Sequence, residues 1–299
     1  MIAVAALRQL STVTPGRAQL RAALEVAVII ALVTVQERWL AWPTAPFVAL
    51  LIASRQHALL VLMHDAAHYR AARTRWVNEL FGEALGFSLF VSMRGYRRHH
   101  HKHHVAEALN TTADPDFERK LRRAPADWSF PMPRRHLVRL LVRDVLLLNT
   151  KEYVYEAEDA KNLEAGDRAY HAIRLLLALA TFAVITLASG WRVYLLYWIL
   201  PAFTWLKAIL RLRSVSDHFG LKDGEGAVGR TRTILAPWWE RLLIAPMNIG
   251  VHGPHHAFTA VPYYRLRALH EKLMQDERYR QTCTVSPSYF ATVTRELSR

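Results

Sequence analysis

The chain has 299 residues, a net charge of +14 and a single cysteine, Cys283. One cysteine excludes an intramolecular disulfide and any cysteine-based zinc or iron–sulfur site. Hydrophobic residues make up 52% of the chain and are segregated into long runs separated by charged stretches. The positive charge then falls on one side of a membrane, which fits anionic lipid or an acidic protein as partner and not nucleic acid.

Residues Met1 to Gln19 read as a loose or interfacial N-terminal arm. The opening run is too short for the apolar region of a signal peptide, so none is expected to be cleaved. Ala22 to Ala41 is the first expected membrane span, closed by Trp39 and Trp42 at an interface. After the turn at Pro43 and Pro46, Phe47 to Met63 returns across the bilayer and delivers His64-x-x-x-His68. Gly82 to Met93 is apolar but too short to cross, as is Leu137 to Leu148, where Arg139 and Arg143 share a face of an interfacial helix. Lys151 to Arg168 reads as a soluble helix. Ala172 to Ala188 and Trp191 to Leu212 are the third and fourth spans, with a kink expected at Pro201. No strand is expected before the glycine-rich Lys222 to Arg230, which therefore reads as a connector rather than a phosphate loop.

Arg and Lys crowd the N-terminal arm and the stretches 69–169 and 213–299, whereas the two short turns between spans have almost none. The positive-inside rule thus places both termini in the cytosol. The same rule puts every histidine cluster there too. The chain is expected to be one domain, with hairpins at about 22–63 and 172–212 and cytosolic portions at 64–169 and 213–299.

Those clusters carry the chemistry. His100-x-x-His103-His104 and His252-x-x-His255-His256 repeat one spacing, which a chain with 15 His in 299 residues should show only about 0.04 times by chance. Positions i, i+3 and i+4 share a helix face, so each box can aim its imidazoles into one space. Neutral imidazole suits iron, zinc and copper. His218, just past the fourth span, could join them, and the set has enough nitrogen for two metals. Asp65, Asp116 and Asp217 lie beside boxes and are candidates to orient the ligands from behind. Arg55 falls near the bilayer midplane, where a charge costs roughly 3 kcal/mol or more, so it needs a partner such as Glu25, Gln56 or His57.

The motifs His64-Asp65-Ala66-Ala67-His68, Arg98-x-His100-x-x-His103-His104 and His252-x-x-His255-His256 resemble the three histidine boxes of the membrane fatty acid desaturase family. So do Asp114-Pro115-Asp116 and Val261-Pro262-Tyr263-Tyr264 downstream of them. The resemblance implies an all-α integral membrane fold: four transmembrane helices and a cytosolic helical cap carrying a di-iron site. It further implies His64, His68, His100, His103, His104, His218, His252, His255 and His256 as ligands to two Fe ions. The co-substrate would be O2, and the product a double bond in a fatty acyl chain carried as acyl-lipid or acyl-thioester. The chain departs from the family pattern at Ser214, where an Asn is usual, and at Gly253-Pro254. His57, His99, His101, His136, His171 and His270 are expected not to be ligands.

No haem, nucleotide or cluster motif is present, so electrons are expected from a separate donor, a ferredoxin or cytochrome b5 type with its reductase. The expected location is a bacterial cytoplasmic membrane. The alternatives are a di-iron hydroxylase or ketolase of a lipid, alkane or carotenoid, and, remotely, a metal transporter. Transporters place their ligands near the bilayer midplane, not beyond one interface.

Overall fold

The apolar runs become helices, as the absence of water in a bilayer core requires of any segment that crosses it. In the computed structural model, residues 2–149, 168–221 and 224–297 are described. A short helix α1 (Val4–Leu10) precedes α2 (Arg17–Trp39) and α3 (Ala45–Ala67). Next come α4 (Arg75–Ser88), α5 (Met93–His103), α6 (Pro115–Arg123), α7 (Pro125–Trp128) and α8 (Arg134–Val145). The second long hairpin is α9 (Arg168–Ser189) and α10 (Trp191–His218). Four helices, α2, α3, α9 and α10, are long and apolar enough to cross a membrane. The soluble helix expected over 151–168 lies almost wholly outside the described residues.

The second and fourth spans run further than hydropathy alone indicates. The second ends at Ala67 rather than Met63, and the fourth continues to His218, past Leu212. Each therefore carries its histidine on the last helical turn. Pro201 perturbs the fourth span in two places: a π-turn at Leu195–Ile199 and a break at Thr204 (φ −115°, ψ −94°). A proline leaves its helix one amide short, and side chains bond the backbone on either side of it. Gln56 of α3 donates to the Trp198 carbonyl at 2.8 Å, and Thr204 Oγ1 donates to the Leu200 carbonyl at 2.6 Å.

Helix α3 is the centre of the molecule. Ile52, Ala53, Leu59, Leu62, Met63, Ala66 and Ala67 are buried in one apolar cluster with residues of α2, α4 and α10. By contrast, no residue of α9 is buried. The apolar stretch 82–93 divides between α4 and a turn, because α4 buries only the face of Asn78, Gly82, Leu85 and Gly86. That face lies directly on α3: a Cβ on Gly86 would sit 2.7 Å from the Val91 carbonyl and 3.0 Å from Met63 Sδ.

Arg55 meets Glu25, one of the partners expected for a charge within a span. Nη1 lies 3.1 Å from Glu25 Oε2, and Arg21 also pairs with Glu25 at 2.5 Å. Ser54 and Arg55 both donate to the Leu242 carbonyl.

The last quarter of the chain packs on the C-terminal ends of α3 and α10. The stretch 222–230 contains a helical turn at Gly226–Gly229. Strand β1 (Arg232–Ile234) pairs in parallel with β2 (Thr284–Ser286), with Thr233 opposite Val285. Between them lie α11 (Trp238–Leu243), α12 (His252–Ala257), α13 (Leu266–Leu273) and α14 (Glu277–Thr282).

Candidate metal centre

Four elements bring the histidines together. His64 and His68 sit at the end of α3, box two lies on α5, His218 closes α10, and box three forms α12. Their ligand atoms fall into two groups. His64, His68, His100, His104 and His255 form the first, and His103, His218 and His256 the second, the atoms in each lying within 4.8 Å of one another. His252 belongs with the second, its Nε2 standing 2.8 Å from His218 Nε2 and 3.1 Å from His256 Nε2. In the first group, His100 Nε2 lies 2.9 Å from the Nε2 atoms of both His68 and His104.

Local chemistry explains why the boxes hold this shape. Box two is split between groups because 100 and 104 are one turn apart on one face, while 103 points to the neighbouring face. Helix α5 is started by Ser92, whose hydroxyl accepts the Gly95 amide at 3.2 Å. Arg97 clamps the end of α3 to it, donating to the Ala67 carbonyl at 3.1 Å while Glu79 holds its guanidinium at 2.7 and 2.8 Å. Buried Asn78 closes the turn after His68 through the amides and carbonyls of 71–74. Box three lies flat on β1. A Cβ on Gly253 would come within 2.9 Å of Thr233 Oγ1, so glycine at this off-pattern position permits the contact.

The imidazoles are in the state a metal needs. Burial, with the crowding of other imidazoles, pushes His68 down to about 3 and His104 to about 2, and holds His100, His252, His255 and His256 well below the ordinary histidine value. They are therefore neutral near pH 7, with a lone pair on each ring. Imidazole nitrogens facing each other at 2.8–3.1 Å, together with the buried and unpartnered Nε2 of His255, leave donors converging on two points. An all-nitrogen donor set of this kind fits a first-row transition metal at each point.

The sequence model of the fatty acid desaturase family matches residues 37–287. The chain belongs to the fatty acid desaturase family. Among its relatives is the sn-1 oleoyl-lipid 12-desaturase of Synechocystis, 23% identical over 80% of this chain and 70% of that protein. The dihydrorhizobitoxine desaturase of Bradyrhizobium elkanii is 22% identical over 84% and 74%. An sn-1 acyl-lipid omega-3 desaturase (ferredoxin) of Nostoc is 24% identical over 75% and 66%.

In this desaturase-family chain all nine expected ligands lie in the two groups. His99 and His101 are exposed on α5, outside both. His57 faces Arg213 Nη1 at 3.4 Å, His136 faces Asp127 at 3.1 Å and His270 faces Tyr279 at 2.9 Å, all away from the groups.

The acids behind the ligands differ from the sequence-based expectation. The carboxylate that touches a box histidine is Asp114: Oδ2 meets His103 Nδ1 at 2.9 Å, while Oδ1 accepts the Asp116 amide and caps α6. Asp116, the expected candidate, instead pairs with Lys120 at 2.5 Å and Arg119 at 3.0 Å. Asp65 accepts the Tyr263 amide at 2.9 Å and stands 3.8 Å from His64 Nδ1. Asp217 is held by Arg213 at 2.5 Å and Tyr289 at 3.2 Å. Asp65 thus braces the backbone at 263 beside His64, Asp217 ties α10 to Tyr289, and Asp116 is spent on its own helix. Ser214 receives the Lys120 ammonium at 2.6 Å. Asn110, which no motif singles out, joins the loop after box two to the His218 and Arg230 carbonyls at 2.9 and 2.6 Å.

Proposed function

We propose that the chain is an O2-dependent desaturase that introduces a double bond into a fatty acyl chain, working with two irons. His64, His68, His100, His104 and His255 would hold one; His103, His218, His252 and His256 would hold the other. The observation that carries this reading is the pair of converging imidazole groups at the ends of two bilayer-length helices. Bound there, the irons would supply O2 activation and removal of hydrogen from an unactivated C–H bond, which no ordinary side chain can perform. Overall, –CH2–CH2–, O2, two electrons and two protons give –CH=CH– and two waters.

The protein's own residues do the rest. The clamp of Arg97 on α3 and the ties of Asn110 fix the two groups relative to each other. The apolar cluster around Met63, Met93 and Leu85 borders the first group on the side of the spans and excludes water from it. With the expected cytosolic orientation, substrate would reach the centre from the membrane and electrons from the cytosol. Relatives named for acyl-lipid substrates, one of them also for ferredoxin, support a lipid substrate and a separate small donor. The relative named for dihydrorhizobitoxine supports a second reading, in which the same centre desaturates another kind of molecule.

The test is expression of this chain and its His103→Ala variant in a host with a ferredoxin reducing system, followed by mass spectrometry of lipids and of the small-molecule fraction. The expected result is an acyl chain lighter by two hydrogens only with the intact box. A gain of one oxygen would make the enzyme a hydroxylase, and two lost hydrogens outside the lipids would select the second reading.

A further inference from the structure

The outer face of α8 carries a feature that the histidine centre does not explain. The helix packs inward through Leu137, Leu140 and Asp144. Asp144 is fixed by the buried guanidinium of Arg211 on α10, Nε to Oδ2 at 2.5 Å. On the opposite face Val138, Val142 and Leu146 recur every four residues and are 58%, 48% and 59% exposed. Beside them, at the same spacing, run Arg135, Arg139 and Arg143. Arg143 turns back to the Leu148 carbonyl at 3.1 Å. Arg135 and Arg139 make no ion pair or hydrogen bond among the described residues. They border an open basin of about 520 Å³ that His136, Ser129 and Met132 also line.

The level of this face is fixed by the spans. Arg211 precedes His218 by seven residues, about 10 Å along a helix, and Arg55 precedes His64 by nine, about 14 Å. Arg211 holds α8, while Arg55 and Ser54 hold the Leu242 carbonyl of α11. Helix α11 exposes Trp238 (71%), Trp239 (42%) and Leu242 (42%). Two elements hung from two different spans thus expose apolar side chains at one height below the histidines. Because Arg55 meets an element of the portion expected in the cytosol, this height is assigned not to the midplane expected for Arg55 but to the boundary between headgroups and acyl chains, where Trp and amphipathic helices settle.

We infer that the outer face of α8 binds anionic phospholipid headgroups, with Arg135 and Arg139 gripping phosphate and Val138, Val142 and Leu146 seated among the acyl chains. Two guanidiniums one turn apart, without partners among the described residues, match phosphate oxygens, and a zwitterionic headgroup offsets that attraction with its own cation. The inference rests on the chain being membrane-embedded and is independent of what the centre catalyses.

The full chain is reconstituted in discs of mixed phosphatidylcholine and phosphatidylglycerol, extracted gently, and the retained lipid counted by native mass spectrometry. Wild type is expected to retain phosphatidylglycerol over phosphatidylcholine. R135Q/R139Q is expected to lose roughly 30-fold of that preference, at about fivefold per cation. R135K/R139K, which keeps the charge, is expected to retain most of it and controls for folding. Equal retention of the two lipids by wild type would overturn the inference, as would an unchanged preference in R135Q/R139Q. Release of the lipid by added inorganic phosphate would also overturn it, by showing a free-anion site. Iron content measured on the same samples tests the desaturase reading separately.

Discussion

Asp114 Oδ1 caps α6, while Oδ2 takes both His103 Nδ1 and the Asn110 amide, so substitutions can separate the two oxygens. Asp114→Asn keeps an oxygen for the cap but cannot accept a proton donor on both sides. Loss of such an orienting partner typically costs 10–100-fold in metal affinity, so iron titration should show weakened loading of the second group, with a modest fall in melting temperature from the Asn110 amide left without its acceptor. Asp114→Ala removes the cap as well and should lower stability by about 1 kcal/mol further. Equal iron affinity in Asp114→Asn and wild type would show that the carboxylate only caps the helix. Arg55 is the second informative residue. Arg55→Met leaves Glu25 buried with only Arg21 for company, and breaking a buried pair costs about 3–5 kcal/mol. Folded yield should fall sharply, and adding Glu25→Gln should restore part of it. At this scale the eight box histidines were legible from their spacing, which repeats in boxes two and three, and His218 from its place past the fourth span. Asp114, Arg97 and Asn110 were not: their partners depend on how the backbone turns between helices, and two aspartates two residues apart look alike in a sequence.

Helices were legible where hydropathy and helical geometry agree, and misjudged where they part. The second and fourth spans were expected to stop at Met63 and Leu212 because polar, ligand-bearing turns follow. The helices continue because the packed histidine groups hold those turns in place. Hydropathy caught only part of α4, since an amphipathic helix buries one face and averages out along the chain. Helix α9 makes the opposite point. With none of its residues buried, it is held to the body chiefly by Arg174 and Tyr170, which converge on Glu83, and by Arg174 donating to the Val91 carbonyl at 2.7 Å. Glu83→Ala should therefore loosen α9 before anything else. Hydrogen exchange would rise at residues 168–176 and leave α3 unchanged. Exchange that rises equally in both helices would mean that the tether supports the whole bundle.

At the scale of the whole molecule, four bilayer-length helices, imidazoles at the ends of two of them and a basic chain form one arrangement. The spans supply depth and dryness, and the elements packed on their ends supply geometry. Because metals bound only to the folded state stabilise it by mass action, stripping with a chelator should lower the melting temperature, and returning iron should restore it. The measurement that tests the central claim most directly is metal content per purified chain, by elemental analysis of wild type, His255→Ala and His218→Ala. Two irons per wild-type chain are expected, falling to about one in each variant, because each substitution removes a ligand from a different group. One metal in wild type, or a site filled by zinc with no iron, would contradict the two-iron account.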